Sequence, residues 1–200
     1  MSTNFVRKNT DPIRGELYSL EKLSQLAKDL AAIPTSLPQR SRKEQLEQIK
    51  NNKIILEKLY KRFSNREPEA YRTPAQEWFL DNYHLIVDQL RGVIEDLSPS
   101  FYSELPVYTK GSGKGGPRVY ELARLLVTHT DSQIDTTILK EIIRAFHSVS
   151  FLTTGELWAI AIFLRLVLIE NITRLMLCAD ADCSDTDAAD EIIEKMLAQT

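Results

Sequence analysis

Glycine and cysteine are scarce in this sequence, and it has no long apolar run. Seven glycines in 200 residues exclude a collagen-like composition. Two cysteines, Cys178 and Cys183, cannot form a disulfide framework, which suits a reducing compartment. The longest apolar stretch, residues 157–169, is interrupted by Arg165 and is shorter than the roughly 20 residues that a membrane span needs. This stretch therefore predicts a buried helix.

A strong charge of either sign is also absent. The net charge is −3 and the isoelectric point is near 5.7, so the chain as a whole has no attraction to nucleic acid, and no nucleic-acid partner is expected. The first residues lack the apolar segment of a secretory signal, which predicts a cytoplasmic location. With 43% hydrophobic and 26% charged residues, the composition is that of a soluble globular protein.

The spacing of apolar residues predicts an all-α fold. Apolar side chains recur at three- and four-residue steps through most of the chain, and no segment alternates as a strand would. We expect a multi-helix bundle of about six to seven helices with one Gly-rich loop. The Pro-containing link that starts at Pro34 suggests an N-terminal helix and linker (1–38) and a helical domain (39–200), which can pack as one domain.

Two capping boxes mark predicted helix starts. Thr73 is followed by a proline and then by Gln76, and Thr153 is followed three residues later by Glu156. The second box opens the longest apolar helix, which we expect to end near Cys178. An acidic turn (180–187) and a short terminal helix (186–198) are predicted to follow it.

Charge is unevenly distributed along the chain. Residues 40–66 are rich in lysine and arginine, whereas the segment from Asp180 onwards is acidic. A basic helix can contact phosphate or anionic lipid head groups. The alternative is a solvated face that pairs partly with the chain's own acids.

The glycines cluster in one loop that resembles a nucleotide-binding string. The spacing is that of the dinucleotide fingerprint, but no useful strand precedes it, and Lys114 is followed by glycine rather than serine or threonine. A flexible loop that permits close backbone approach is the better interpretation. The loop residues of interest are Gly111, Gly113, Lys114 and Gly116. Sugar or phosphate contacts are the alternative to solvent exposure for Tyr108, Lys110 and Lys114.

No catalytic or metal-binding set emerges from the sequence. The three histidines stand in no metalloprotease or triad pattern, and the two cysteines do not form a zinc site. The pair Asp180 and Asp182 forms a DxD string, but no sheet precedes it, and a calcium loop would need glycine where Asp185 stands. No catalytic residue and no metal ligand is assigned.

Charged residues punctuate the long apolar helix. Glu170 and Arg174 are spaced to pair at i,i+4, and a buried charge needs a partner. Arg165 is expected to meet an acid from another helix or to face a partner domain.

Three stretches resemble, in their order and spacing, the N-terminal region of bacterial cyclic β-1,2-glucan synthases. They are EWFLDNYH (77–84) with QLR (89–91), YxELP (102–106) with the Gly-rich loop and PRVYELA (117–123), and LTTGELWA (152–159) with LRLxLIEN (164–171). The resemblance covers roughly Thr73 to Leu175, about half of the chain.

The resemblance implies a large inner-membrane enzyme that polymerises glucose from UDP-glucose and carries a phosphorylase-like part. The acceptor and metal-binding motifs of its transferase have no counterpart here. The chain is thus expected to be an N-terminal helical, non-catalytic module or a truncated fragment, without a cofactor of its own. Its location would be the cytoplasm or the cytoplasmic face of the inner membrane. Expected partners are the remaining domains of the synthase, glucan and anionic lipid head groups.

The alternative is a free-standing helical interaction or scaffold protein without enzymatic activity. A small catalyst in its own right would have to turn over UDP-glucose as the 200-residue chain. The motif residues singled out for binding or inter-domain contact are Trp78, Asp81, Asn82, His84, Arg118, Glu156, Trp158, Arg165 and Glu170. Core and inter-helix contacts are the competing interpretation for them.

Overall fold

A computed structural model describes residues 11–38, 43–66 and 72–197, without the side chains of 43–46 and 182–197. Within these ranges the chain forms seven helices and two strands of two residues each, so the all-α prediction is confirmed. The helices are α1 (Leu20–Ala31), α2 (Lys43–Ser64), α3 (Pro74–Asp96), α4 (Pro99–Ser103), α5 (Arg118–His129), α6 (Thr136–His147) and α7 (Thr154–Leu197), and the strands are β1 (Thr35–Ser36) and β2 (Val107–Tyr108).

Helix α7 lies at the centre of the bundle. Helices α2, α3 and α5 pack against it, and α1 packs on α5 and α6. The central position follows from its sequence, because a helix that is apolar on most sides must be covered on most sides. Ala159, Phe163 and Val167 are almost completely buried along its length. The division of the chain at residue 38 stays a prediction, while α1 itself contributes Leu23 and Ala27 to the common core.

Both predicted capping boxes are present. The Thr73 hydroxyl accepts from the backbone N–H of Gln76 at 3.3 Å, and the side-chain oxygen of Gln76 accepts from the backbone N–H of Thr73 at 3.2 Å. The same exchange joins Thr153 and Glu156, at 3.2 and 2.8 Å. Each box satisfies backbone donors that a helix start leaves unpaired, so the starts of α3 and α7 are set locally.

The predicted acidic turn at 180–187 and the separate terminal helix are wrong, because α7 continues through them to Leu197. After Gly155 this helix contains neither glycine nor proline, so nothing in the backbone interrupts it. Tertiary contacts hold it near the predicted break: Gln76 donates to the carbonyl of Ala179, and Arg62 pairs with Asp180 at 2.9 Å. The side chains of the acids from Asp182 onwards, and Ala198, lie outside the described residues.

A small antiparallel pairing was not expected from the sequence. Thr35 pairs with Tyr108 and Ser36 with Val107, joining the link after α1 to the segment before the glycine loop. Two-residue strands are too short to produce a visible alternation. The expected exposure of Tyr108 is also wrong: its ring is buried, and its hydroxyl donates to the carbonyl of Leu30 at 2.9 Å.

The glycine-rich loop folds back onto β2. The Gly115 amide donates to the carbonyl of Tyr108 at 2.8 Å, and the Tyr108 amide donates to the carbonyl of Gly116 at 3.1 Å. Gly111 and Gly115 have φ near +80°, a conformation that favours glycine. Within the described residues, Lys110 and Lys114 are exposed, as predicted. The loop is therefore tied to the bundle through its own backbone.

We predict that Asp135→Ala lowers the free energy of unfolding by about 1 kcal/mol. The Asp135 carboxylate accepts from the amides of Thr137 and Ile138, both at 2.7 Å, and so caps α6. Urea titration followed by circular dichroism measures the change. Asp81→Ala is the control, because Asp81 is exposed within α3, and a change within about 0.5 kcal/mol is expected there. Equal effects of the two substitutions would contradict the cap assignment.

Candidate functional site

Arg118 and Glu156 form a buried ion pair between the starts of α5 and α7. Arg118 donates from Nε to Oε1 of Glu156 at 2.5 Å and from Nη2 to Oε2 at 2.8 Å. Both side chains are buried, and Glu156 is inaccessible to solvent. A bidentate arrangement of this kind is the strongest geometry for an arginine–carboxylate contact.

The chain itself supplies further partners to this pair. Arg118 also donates to the Ser150 hydroxyl at 2.8 Å and to the carbonyl of Phe151 at 2.7 Å. Glu156 accepts in addition from the Thr153 amide, and the guanidinium lies 5.4 Å from the centroid of the Phe146 ring. The network joins α5, the connection between α6 and α7, and the first turn of α7. Its geometry is that of a structural contact.

Arg165 meets an acid from another helix, which confirms one of the two expectations for it. Its Nη2 lies 2.8 Å from Oδ2 of Asp96, at the end of α3. A Cβ at Gly92 would lie 3.4 Å from Arg165 Nη1, so the guanidinium packs close to the α3 backbone at this glycine. Both partners are partly exposed, so the pair links α3 and α7 at the surface of the bundle.

Glu170 is buried and bonded to another helix. The Tyr120 hydroxyl donates to Glu170 Oε2 at 2.8 Å, joining α5 to α7. Burial raises the pKa of Glu170 above its ordinary value of 4.5, while the Tyr120 bond and the charge of Arg174 oppose the rise. The spacing of Glu170 and Arg174 allows an ion pair, but among the described residues Arg174 donates to the carbonyl of Asp11 at 3.2 Å and acts on Glu170 through its charge.

The remaining motif residues on α3 and α7 lie at the surface. Asp81 and His84 are exposed, and Asn82 donates to the carbonyl of Trp78, in its own helix, at 2.8 Å. Trp78 is 49% and Trp158 is 72% exposed. Because Trp78 lies near the Ala179 end of α7 and Trp158 near its start, about 30 Å of helix separates them. The predicted set is thus not brought together into one site.

The glycine loop does not take the form of a dinucleotide site. Strand β2 pairs antiparallel with β1, whereas that fold places its loop at the edge of a parallel sheet. Gly113 lies against Glu121 of α5, where an added Cβ would come within 2.7 Å of Glu121 Cγ. Gly111, Lys114 and Gly115 are exposed and Gly116 is buried.

A cleft between α1 and α5 was missed from the sequence. This α1–α5 cleft is open, measures about 390 Å³, and is lined by Asp29 and Leu30 of α1 and by Glu121, Arg124, Leu125 and His129 of α5. Burial raises the pKa of Glu121, and the charge of Arg124 opposes the rise. Its walls are about 90 residues apart in the sequence, so no local motif could have indicated it.

Two absences hold for the part of the chain that the structure describes. No three histidine, cysteine or carboxylate side chains are grouped as metal ligands there. Within the same ranges, no helix is both long and apolar enough to span a membrane.

We predict that Arg118→Met lowers the free energy of unfolding by about 3–5 kcal/mol, because it leaves the buried Glu156 charge without its partner. Chemical denaturation measures the loss. Arg144→Met is the control: Arg144 forms an exposed pair with Glu141, and about 0–1 kcal/mol is expected. The double variant Arg118→Met with Glu156→Gln removes the unpaired charge and should be more stable than Arg118→Met alone. A double variant that is less stable would contradict this account.

Glu170→Gln should change how stability depends on pH. The pKa of Glu170 is higher in the folded state than in the unfolded chain, where it has its ordinary value of 4.5, so protonation of this group stabilises the fold at low pH. That contribution is lost as pH rises through the raised folded pKa. The free energy of unfolding of the variant, relative to wild type, should therefore increase from about pH 4 to about pH 7. Glu95→Gln, at an exposed carboxylate, should show no such trend. A pH-independent difference for Glu170→Gln would contradict the assignment.

Comparison with known proteins gives one relationship that spans nearly the whole chain. No known protein-family profile matches the sequence. The chain is 32% identical over 192 residues to the cyclic beta-(1,2)-glucan synthase NdvB of Rhizobium meliloti (strain 1021). The match covers 94% of this chain and 7% of that protein. The chain is therefore related to the cyclic β-1,2-glucan synthases, as its motifs predicted, and corresponds in length to a small part of one.

Proposed function

We propose that this chain is a helical, non-catalytic module of a cyclic β-1,2-glucan synthase and packs on the rest of that enzyme. The observation that carries the proposal is the match to NdvB, which extends over almost all of this chain yet covers 7% of the synthase. We assign the polymerisation of glucose from UDP-glucose to the rest of the synthase, outside the part that this chain matches. The module stabilises that enzyme and holds its domains in position.

The contacts of the charged motif residues support a non-catalytic role. Arg118 and Glu156 use their donors and acceptors on each other and on neighbouring backbone and hydroxyl groups. Arg165 is paired with Asp96, and Glu170 with Tyr120. A catalytic group must reach substrate atoms, whereas these groups hold helices to one another.

Exposed apolar side chains at one corner of the bundle support docking on a partner. The α6–α7 corner consists of Val149, Phe151, Leu157 and Trp158, four exposed side chains within ten consecutive residues. Phe151 is 79% exposed, and its carbonyl is held by Arg118. Clustered exposed apolar residues, with aromatics among them, are typical of protein interfaces. We assign this corner to the contact with the remaining domains of the synthase.

We further propose that the module lies at the cytoplasmic face of the bacterial inner membrane as part of the parent enzyme. Helix α2 presents the exposed lysines Lys50, Lys58 and Lys61 on one side. Each lysine near an anionic membrane contributes about 1 kcal/mol of attraction. This side is the one that would approach anionic lipid head groups.

A chimeric synthase tests the proposed function. Replacing the matched segment of NdvB by this chain should give an enzyme that makes cyclic glucan, measured by chromatography of the products. Trp158→Ser or Phe151→Ser in the chimera should reduce the glucan made by about tenfold, the size expected for loss of an interface hot spot. Leu37→Ser is the matched control, because Leu37 is 65% exposed but lies outside the corner.

The outcomes separate the candidate functions. UDP-glucose turnover by the purified chain would contradict a non-catalytic role. A folded but inactive chimera, beside active NdvB, would favour a free-standing helical interaction protein. Corner variants that make as much glucan as Leu37→Ser would refute the docking surface.

A further inference from the structure

The α1–α5 cleft combines a pocket of suitable size with converging polar groups. Its volume of about 390 Å³ falls within the range typical of sites for small ligands. Asp29, whose Oδ1 accepts from Gln25 Nε2 at 2.9 Å, lines one wall, and Glu121 and Arg124 line the other. The leucines Leu26, Leu30 and Leu125 also line the cleft. Apolar walls with a few charged groups are the usual composition of a ligand site.

The glycine loop positions the Glu121 carboxylate in this cleft. A Cβ at Gly113 would come within 2.7 Å of Glu121 Cγ and 3.0 Å of Cδ, so the loop can approach closely because that position is glycine. The nearest cation to the carboxylate is Arg124, whose Nη1 lies 3.7 Å from Oε2. Because 3.7 Å is longer than a hydrogen bond, the Glu121 carboxylate can still accept a hydrogen bond from a ligand.

Three contacts hold the walls in place. The Tyr108 hydroxyl donates to the carbonyl of Leu30, which lines the cleft. At one end, the rings of Tyr18 and His129 stack with centroids 4.2 Å apart, and Nδ1 of His129 lies 2.8 Å from the carbonyl oxygen of Glu16. Because these contacts already fix the walls, less conformational entropy is lost when a ligand binds.

The charges select the ligand class. Two carboxylates and one guanidinium give the lining a net negative charge, which disfavours a phosphate or nucleotide. Hydroxyl groups can donate to Asp29 and Glu121 and accept from Arg124. The leucine walls suit the apolar faces of a sugar ring.

We propose that the α1–α5 cleft binds a short β-1,2-linked glucose oligosaccharide. This inference rests on the proposed function, because the linkage is that of the glucan named for the related synthase. Asp29, Glu121 and Arg124 hydrogen-bond the sugar hydroxyls, and Leu30 and Leu125 contact the ring. The glycine loop sets the position of Glu121 and does not itself contact the sugar.

Titration of the full 200-residue chain with sophorose, the β-1,2-linked disaccharide of glucose, tests the proposal. Two-dimensional NMR should show amide shifts confined to the residues around the cleft, with millimolar affinity. Maltose and cellobiose, with other linkages, should bind more weakly. Glu121→Gln should weaken sophorose binding by about tenfold, because it removes a charged acceptor while keeping the shape. Glu95→Gln, at an exposed carboxylate of α3, should leave the affinity unchanged.

Gly113→Ala provides a second variant that leaves every charge in place. Its Cβ must displace the Glu121 side chain, so sophorose binding should weaken, while Ser112→Ala next to it should have no effect. Thermal denaturation shows whether each variant is folded. No sophorose shifts with the folded wild-type chain, or equal binding by Glu121→Gln, would overturn the proposal.

The test separates this proposal from the proposed function. If sophorose does not bind but the chimeric synthase is active and sensitive to the α6–α7 corner, the cleft assignment alone is wrong. If sophorose binds but the chimera is inactive, the sugar site stands and the role as a synthase module is wrong.

Discussion

The bidentate contact between Arg118 and Glu156 is the constraint on which the arrangement of the bundle depends. It joins the start of α5, the segment between α6 and α7, and the first turn of α7, and both charged side chains are buried. Two buried charges are tolerated only when each is fully partnered, so these three segments must meet in one register. The Thr153 capping box contributes to the same network, because Glu156 accepts from the Thr153 amide as well as from Arg118. A local helix-start signal and a long-range ion pair therefore share one carboxylate.

The motif residues divide into two groups with different roles. Four of the charged ones contact other elements and hold the bundle together: Arg118, Glu156, Arg165 and Glu170. The tryptophans of the motif strings, Trp78 and Trp158, lie on the outside, near opposite ends of a stretch of α7 about 30 Å long. A sequence string that reads as one motif can thus contain a structural contact and a surface contact side by side.

The errors in the sequence-based predictions have a common cause. A run of aspartates after Cys178 is typical of a turn, yet α7 continues, because no glycine or proline interrupts it and because Arg62 and Gln76 hold its residues 179 and 180. Tyr108 was expected at the surface, and it is buried by its contact with the carbonyl of Leu30. In each case a partner far away in the sequence outweighs the local propensity, which is worth less than a tertiary contact.

The sequence by itself determined the helical class, the starts of α3 and α7 and the relationship to the glucan synthases, because periodicity, caps and motif strings are properties of neighbouring residues. Candidate charges such as Arg165 could be named from their place in an apolar helix, but their partners could not. Tertiary structure alone decided that Arg118 meets Glu156 across 38 residues, that Tyr108 meets Leu30 across 78, and that Asp29 and Glu121 face one cleft. Burial and charge pairing arise between segments distant in the chain, and a single sequence carries no local record of which segments meet.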